Sequence, residues 1–514
     1  MSLAQIVFAL AAAASELGAG GRGPASPQSG APALIGTAAL ALMAGATADT
    51  RASQPSALRP QPSTATRAPQ PPTLAYGLFG PLHLSRPAHD IAHTVLLFSD
   101  REGWTARQQT LGDALAGAGA FVVGIDLPAY LARMEAIKDT CSYPAGHVEE
   151  VAHWIERHEG VATYSVPLVV GDGAGATFAY ALAAQAPAGT FEGLLTLGWD
   201  AALRFPKPFC AGDAGAMTQA DAPGGWRVQP VKQLPLPWSA HPFAAGARLD
   251  TGSVPLASAW HWLGAVAPAL AAGDPAHGIA DAWRRWRRGA DTQRTTLPDD
   301  VADLPLTEIA PTAGAKDPAN AHRIAIIVTG DGGWAGLDRG VADALAAEGA
   351  RVIGFSTLKF FWHKQTPDAA AAAIARVITH YGAADADARF VVIGYSFGAS
   401  LVPVIVNRLP AAARARVQGG VMISPDDAAV FEIHVGDWFG STHHDDALPI
   451  GPELARSQVP LVCVHGDDED DSPCRGPLPA GVRAVGLPGG HHYDGDYAAL
   501  GAAIVANLPG ATAR

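Results

Sequence analysis

Short runs of consecutive apolar residues recur along the chain, and each run ends in a glycine-rich or polar segment. Examples lie at residues 95–98, 324–328, 391–393 and 459–464. Runs of this length without polar alternation are typical of strands covered on both faces, as in a parallel sheet with helices on either side. The pattern therefore predicts an α/β fold.

The run at 391–393 leads into a G-x-S-x-G pentapeptide, Gly394-Tyr395-Ser396-Phe397-Gly398. A strand that delivers the chain into a tight strand-to-helix turn, with glycines where a Cβ would clash, lifts the serine hydroxyl above the sheet. This arrangement predicts a nucleophile elbow with Ser396 as the nucleophile. Because the chain has 57 glycines, the pentapeptide can also arise by chance, and the residues that follow it decide whether it marks a nucleophile.

An acidic loop follows the next apolar run. Residues 459–465 end in Gly466-Asp467-Asp468-Glu469-Asp470-Asp471. In α/β-hydrolases nucleophile, acid and histidine follow one another in that chain order, and the acid commonly stands about three residues after the strand-ending glycine. This spacing selects Glu469, with Asp471 and Asp468 as competing candidates.

Two adjacent histidines follow the last apolar run, where residues 484–487 lead into Pro488-Gly489-Gly490-His491-His492. An imidazole that removes the hydroxyl proton, itself oriented by a carboxylate, makes serine an effective nucleophile. We select His491 as the base, with His492 as the alternative. A simpler interpretation of the whole set is a sheet whose serine, histidine and acids only cap strands.

The oxyanion of a serine hydrolase needs two hydrogen-bond donors. One is expected to be the backbone N–H of Phe397, directly after the nucleophile, and the other an amide from a loop after an early strand. Residues 324–328 end in Thr329-Gly330-Asp331-Gly332-Gly333-Trp334, so Asp331 or Gly332 would supply the second amide. An ordinary strand-end turn is the alternative.

The chain contains an internal repeat. Residues 95–104 align without gaps to 325–334 at an offset of 230 positions, and Gly124 falls on Gly354 at the same offset. At an offset of 223, residues 169–176 match 392–399, but Gly173 stands where the second copy has Ser396. The sequence therefore predicts tandem α/β-hydrolase-like units, of which the first is degenerate and kept for packing or binding. In that first unit Arg101-Glu102 also interrupts the glycine-rich loop.

Composition divides the chain into four regions. We expect a signal or targeting segment at 1–48, a flexible linker at 49–75, the first unit at 76–300 and the second, catalytic unit at 320–514. The alternative for the first region is a disordered Ala/Pro tail.

Charge and cysteine content restrict the function further. A net charge of −13 argues against nucleic acid as a partner. The four cysteines allow three pairings, and we prefer Cys463–Cys474 and Cys141–Cys210, which would suit an oxidising compartment. Without export, all four would be free thiols. No cofactor or metal is expected, since residues 443–446 fit a polar loop better than a ligand set.

The second unit resembles the bacterial VirJ/AcvB virulence proteins, and the upstream copy resembles the longer, two-unit AcvB type. The resemblance is carried by Gly330 to Trp334, Phe361-Trp362 with Thr366-Pro367, Gly394 to Ala399, Cys463 to Cys474, and Leu487 to Tyr497. It implies a periplasmic α/β-hydrolase that cleaves the aminoacyl ester of aminoacylated phosphatidylglycerol, chiefly lysyl-phosphatidylglycerol.

Four segments would suit such a substrate. The acidic residues 467–471 would attract its amines if they face the cleft, or form a solvated acidic loop. The aromatic residues at 360–362 and 438–439 would line a lipid-facing wall, or fill the core. Residues 283–288, in which tryptophans alternate with arginines, would lie on an anionic membrane surface, or form a helix with packed indoles and solvated arginines. The competing class is a non-catalytic periplasmic binding protein or secretion accessory, whose partner would be the secretion machinery.

Overall fold

The computed structural model describes residues 74–200, 202–212, 218–221, 225–229, 231, 234–241, 275–293, 297–312, 320–334, 336–433, 444 and 446–509. The described residues form one compact body that contains both repeated units. The expected signal segment, nearly all of the expected linker, and residues 438–439 lie outside the described residues. None of the described helices is long and apolar enough to cross a bilayer.

The first unit contains a six-stranded sheet with the order β10-β7-β6-β4-β5-β3, parallel except for β3. Its strands are β1 (Ala75–Tyr76), β2 (Gly80–Pro81), β3 (His83–Ser85), β4 (Thr94–Phe98), β5 (Phe121–Ile125), β6 (Leu168–Asp172), β7 (Gly193–Leu197), β8 (Thr218–Asp221), β9 (Gly225–Val228) and β10 (Trp238–His241). Its helices are α1 (Ala106–Gly117), α2 (Leu127–Glu135), α3 (Pro144–His158), α4 (Ala174–Gln185) and α5 (Pro275–Gln293).

The second unit contains a seven-stranded sheet with the order β11-β13-β12-β14-β15-β18-β19, parallel except for β11. Its strands are β11 (Leu306–Ile309), β12 (Arg323–Val328), β13 (Arg351–Phe355), β14 (Arg389–Tyr395), β15 (Val417–Ile423), β16 (Ala428–Ala429), β17 (Leu448–Pro449), β18 (Leu461–Gly466) and β19 (Val482–Leu487). Its helices are α6 (Gly336–Ala347), α7 (Thr357–Phe360), α8 (Pro367–Ala384), α9 (Phe397–Arg408), α10 (Ala411–Arg414), α11 (Ile450–Ala455) and α12 (Tyr497–Asn507).

The two sheets share one strand order, which is that of the α/β-hydrolase fold. Read from β3, the first sheet repeats the second sheet from β11 as far as β18. The expected α/β class with tandem hydrolase-like units is therefore confirmed. β11 joins the second sheet although it precedes residue 320, where that domain was expected to begin.

Burial explains why the apolar runs form central strands. All six residues of β12 are buried, and the five from Ile324 to Val328 alternate between two hydrophobic clusters on opposite faces of the sheet. Ile326 packs in one cluster and Ile327 in the other. The helices that cover these faces start at local signals, as at α8, where Thr366 Oγ1 accepts the N–H of Ala369 at 3.0 Å and Pro367 follows directly.

A tryptophan packed on a glycine occurs at the same place in both units. A Cβ at Gly124 would clash with the indole of Trp104, and a Cβ at Gly354 would clash with the indole of Trp334. These pairs fall on one another at the offset of 230 positions. The repeat read from the sequence is therefore also a repeat of three-dimensional contacts.

The structure decides between the alternatives for two aromatic segments. Phe361 and Trp362 were expected to line a lipid-facing wall, but they are 0% and 1% exposed and belong to the core. In α5, Trp283 is buried and Trp286 packs against Gly193. This packing matches the alternative in which the indoles of residues 283–288 fill core.

The elbow of the first unit is predicted to tolerate only glycine. Gly173 has φ 55°, and a Cβ there would clash with the Asp100 carboxylate. Gly173→Ala is expected to lower the free energy of unfolding by about 1–3 kcal/mol, measured by urea denaturation. Gly117→Ala is the matched control, because nothing lies within 4 Å of its Cβ position. Equal stability of the two variants would contradict the strain argument.

Candidate active site

Ser396 stands at the tight turn between β14 and α9. Its φ is 52°, in the left-handed region that non-glycine residues seldom occupy. A Cβ at Gly394 would clash with the backbone of Gly398, and a Cβ at Gly398 would clash with the carbonyl oxygens of Val328 and Thr329. The two glycines therefore let helix, strand and loop approach closely enough for the turn to form.

The structure brings Ser396, His491 and Glu469 together in one chain of hydrogen bonds. Nε2 of His491 lies 3.0 Å from Oγ of Ser396, and Nδ1 lies 2.7 Å from Oε1 of Glu469. Glu469 follows β18 and His491 follows β19, two parallel strands that β15 separates from the elbow strand β14, so both residues lie at the same carboxyl edge of the sheet as Ser396. In this geometry the imidazole can remove the hydroxyl proton while the carboxylate orients the ring.

Glu469 is held by a second set of donors. Its Oε2 accepts the backbone N–H of Gly466 at 2.6 Å and the hydroxyl of Ser424 at 2.7 Å. The phenol of Tyr493 lies 2.8 Å from that same hydroxyl. Sequence reasoning assigned no role to Ser424 or Tyr493; Tyr493 directly follows the histidine pair, whereas Ser424 belongs to no motif singled out in the sequence.

A disulfide closes the loop that carries the acid. Cys463 in β18 is bonded to Cys474, with Cα atoms 5.4 Å apart, and Cys141 is bonded to Cys210 in the first unit. These are the two pairings preferred from the sequence. The Cys463–Cys474 bond restricts the freedom of the segment that presents Glu469.

Hydrogen bonds set the charge states of Glu469 and His491. Burial raises the pKa of Glu469, but hydrogen bonds from His491, Gly466 and Ser424 outweigh it and hold that pKa below its ordinary value. Burial lowers the pKa of His491, but its hydrogen bond to Glu469 and the charge of that carboxylate outweigh it and raise the pKa. An ionised Glu469 therefore stabilises the protonated ring.

The alternative candidates for the base and the acid lie outside this chain of hydrogen bonds. His492 turns away from the serine, and its Nδ1 lies 3.0 Å from the hydroxyl of Tyr395. Burial lowers the pKa of His492 to about 4, so the ring is neutral near pH 7. Asp468 and Asp471 are exposed on the loop, whereas Glu469 between them turns toward His491.

The glycine-rich loop after β12 lies beside the elbow, because Gly398 packs on the carbonyl groups of Val328 and Thr329. The N–H of Gly332 donates to Oδ1 of Asp331 at 3.1 Å. Of the two candidates for the second oxyanion donor, Gly332 is therefore already engaged with a side chain.

The first unit shows what the equivalent amides can hold. There Oδ1 of Asp100 accepts the N–H of Arg101 at 2.8 Å and the N–H of Ala174 at 2.7 Å. In the alignment these two amides correspond to those of Asp331 and Phe397. In the first unit this pair of amides therefore binds an anionic oxygen, and that oxygen belongs to a carboxylate of the same unit.

A further carboxylate, Asp426, lies close enough to His491 to raise the pKa of the ring. Removal from bulk water, together with the charges of Asp331, Asp427 and Asp471, raises the pKa of Asp426 to about 6. Sequence reasoning had placed the acidic neighbourhood of the site in residues 467–471. The structure adds Asp426, which follows β15 in the chain.

Four phenylalanines form an aromatic cluster beside the serine. The ring of Phe361 lies 5.4 Å from that of Phe397, 6.2 Å from that of Phe431 and 5.0 Å from that of Phe360. Phe360 and Phe397 are partly exposed, whereas Phe361 is buried behind them. An apolar surface therefore adjoins the nucleophile.

Comparison with protein families supports the resemblance noted in the sequence. Residues 322–511 match the model of a family described as bacterial virulence protein VirJ. The match covers less than half of the chain and falls within the second unit, where the expected resemblance is confirmed. No curated protein matches the sequence.

Several solved structures are similar to part of the chain. A putative dienelactone hydrolase from Klebsiella pneumoniae has 13% identity and a TM-score of 0.27, covering 39% of this chain and 96% of that chain. Est1E from Butyrivibrio proteoclasticus with ferulic acid bound has 16% identity and a TM-score of 0.28, covering 39% and 92%. A proline iminopeptidase from Mycobacterium smegmatis has 15% identity and a TM-score of 0.31, covering 41% and 95%. The strand order of the two sheets establishes the fold class.

Replacing the carboxylate is predicted to change the titration of His491. In Glu469→Gln the effect of burial remains while the opposing charge is lost, so the midpoint should move to lower pH by about one unit. Histidine-selective NMR measures the midpoint, with a His491→Gln variant to assign the signal. Asp468→Asn is the control and should leave the midpoint in place; equal shifts in both variants would contradict the pairing with Glu469.

Proposed function

We propose that the second unit is a serine hydrolase that cleaves the aminoacyl ester of aminoacylated phosphatidylglycerol through an acyl-enzyme. The observation that carries this proposal is the hydrogen-bonded chain from Ser396 through His491 to Glu469. The hydrolase fold and the match of residues 322–511 to the VirJ family support it.

In the proposed reaction Oγ of Ser396 attacks the ester carbonyl carbon while Nε2 of His491 takes the hydroxyl proton. The amides of Phe397 and Asp331 stabilise the oxyanion. His491 then returns the proton to the glycerol oxygen, which leaves as phosphatidylglycerol. Water, activated by the same imidazole, releases the amino acid from the acylated serine.

Charge and surface character support this substrate class. A lysyl ester carries cationic amines close to its carbonyl group, and Asp426 and Asp331 surround the imidazole with negative charge. The aromatic cluster offers an apolar contact for the lipid part. Both features lie beside the nucleophile, where an amphipathic ester would need them.

We further propose a periplasmic location at the outer face of the inner membrane. Two disulfides account for all four cysteines, and stable disulfides persist in oxidising compartments. A second candidate function is a non-catalytic binding or secretion-accessory protein. The first unit supports this second candidate, because it is a hydrolase-like fold in the same chain with Gly173 in place of the nucleophile.

Loss of the nucleophile is predicted to abolish hydrolysis. Purified wild type should release lysine from lysyl-phosphatidylglycerol, and Ser396→Ala should lower the rate by on the order of 10⁴-fold or more. Ser457→Ala is the matched control, since this serine precedes β18 at the opposite end of the sheet from Glu469. Equal release by wild type and Ser396→Ala, or no release from any aminoacyl lipid, would favour the binding protein.

Asp426 is predicted to set a preference for the more cationic substrate. Asp426→Asn should lower kcat/KM for lysyl-phosphatidylglycerol about tenfold more than for alanyl-phosphatidylglycerol, which has one amine fewer. Because the pKa of Asp426 is about 6, the lysyl preference of wild type should fall as the pH drops below 6. The control is Asp470→Asn, a solvent-facing member of the acidic loop; an equal loss there would remove the special role of Asp426.

A further inference from the structure

One helix of the first unit, α3, runs along the part of the second unit that carries the candidate site. Burial raises the pKa of Glu149 on α3 to about 8, and the negative charge of Asp331 in the second unit adds to that rise. His153, one turn later, packs its ring 6.2 Å from that of Trp362. Arg157, a further turn along, stacks its guanidinium 4.5 Å over the same indole.

Arg157 also binds a second segment of the hydrolase unit. Its Nη1 lies 3.0 Å from Oε1 of Glu432, and its Nη2 donates to the carbonyl oxygen of Ile433. A planar guanidinium can stack and form a forked set of hydrogen bonds at once, which an ammonium group cannot do. One side chain of the first unit therefore links residue 362 to residues 432 and 433.

The segments at 361–365 and 431–433 hold the aromatic cluster. The N–H of Gln365 donates to the carbonyl of Phe431 at 2.8 Å, and the N–H of Ile433 donates to the carbonyl of Phe361 at 2.9 Å. Phe361 in turn packs on Phe397, the residue after the nucleophile. A displacement of either segment would therefore be transmitted to the apolar surface beside Ser396.

The chain after α3 reinforces the same contact. The indole N–H of Trp362 donates to the carbonyl of Val161 at 2.8 Å, and Nε2 of His363 lies 2.9 Å from the carbonyl of Ala162. Tyr164 is buried within the hydrophobic cluster of the second unit. The first unit thus contributes backbone acceptors and core side chains to its neighbour.

We propose that α3 forms one wall of the substrate cleft of the second unit, and that Arg157 is a positioning residue that holds the aromatic cluster for the apolar part of an ester substrate. This inference rests on the proposed hydrolase function. It gives the first unit, which has no nucleophile, a role in substrate binding rather than in chemistry.

The test compares two esters with the same acyl group in the full chain. Lysyl-phosphatidylglycerol in detergent micelles has an apolar part, and lysine methyl ester has none. Arg157→Ala should raise KM for the lipid about tenfold with kcat nearly unchanged, and leave both constants for the methyl ester in place. Arg157→Lys should recover only part of the loss, because an ammonium keeps the charge but not the stacking.

Arg86→Ala is the matched control, since it removes an ion pair to Glu159, just after the same helix. Amide hydrogen exchange of residues 360–365 and 431–433 gives a readout without turnover, and Arg157→Ala should accelerate it while Arg86→Ala should not. Unchanged exchange and unchanged KM would overturn the proposal, as would equal losses on both esters, which indicate a general loss of structure.

The Ser396→Ala variant separates this proposal from the proposed function. If wild type and Ser396→Ala are indistinguishable on both esters, the hydrolase function falls. The wall of a substrate cleft falls with it, and the positioning of the aromatic cluster by Arg157 is decided by exchange alone, with acceleration in Arg157→Ala supporting the positioning and no acceleration overturning it.

Discussion

The close approach of backbone to backbone at the elbow is the constraint on which the candidate site depends. Because Gly398 lies against the carbonyl groups of Val328 and Thr329, the first turn of α9 is pressed onto the end of β12. That contact brings the amide of Phe397 and the loop at Asp331 to one place. It also holds Ser396 in a left-handed conformation that the surrounding sheet must stabilise.

The first unit keeps this backbone geometry without the catalytic serine. Gly173 has φ 55° and ψ −110°, close to the 52° and −118° of Ser396, so the turn is the same without the hydroxyl. The packing of a tryptophan on a strand glycine is kept as well. What differs is the use of the paired amides, which bind the carboxylate of Asp100 in the first unit.

Much of the fold and of the candidate site could be predicted from the sequence, because both depend on local signals in a known chain order. Apolar runs mark the strands, and the spacing after β18 and β19 pointed to Glu469 and His491. Ser424 and Asp426 could not be predicted, since no spacing rule connects them to residues far along the chain. Burial of Trp362 could be named only as an alternative, because it depends on how one unit packs on the other.

The carboxylate of Asp100 has an evolutionary consequence. A serine introduced at position 173 would clash with it, while its removal alone would leave two inward-facing amides without an acceptor. Neither single step restores a nucleophile without a cost in stability. The first unit can therefore vary as a scaffold, but a return to catalysis would require changes at positions 100 and 173 together.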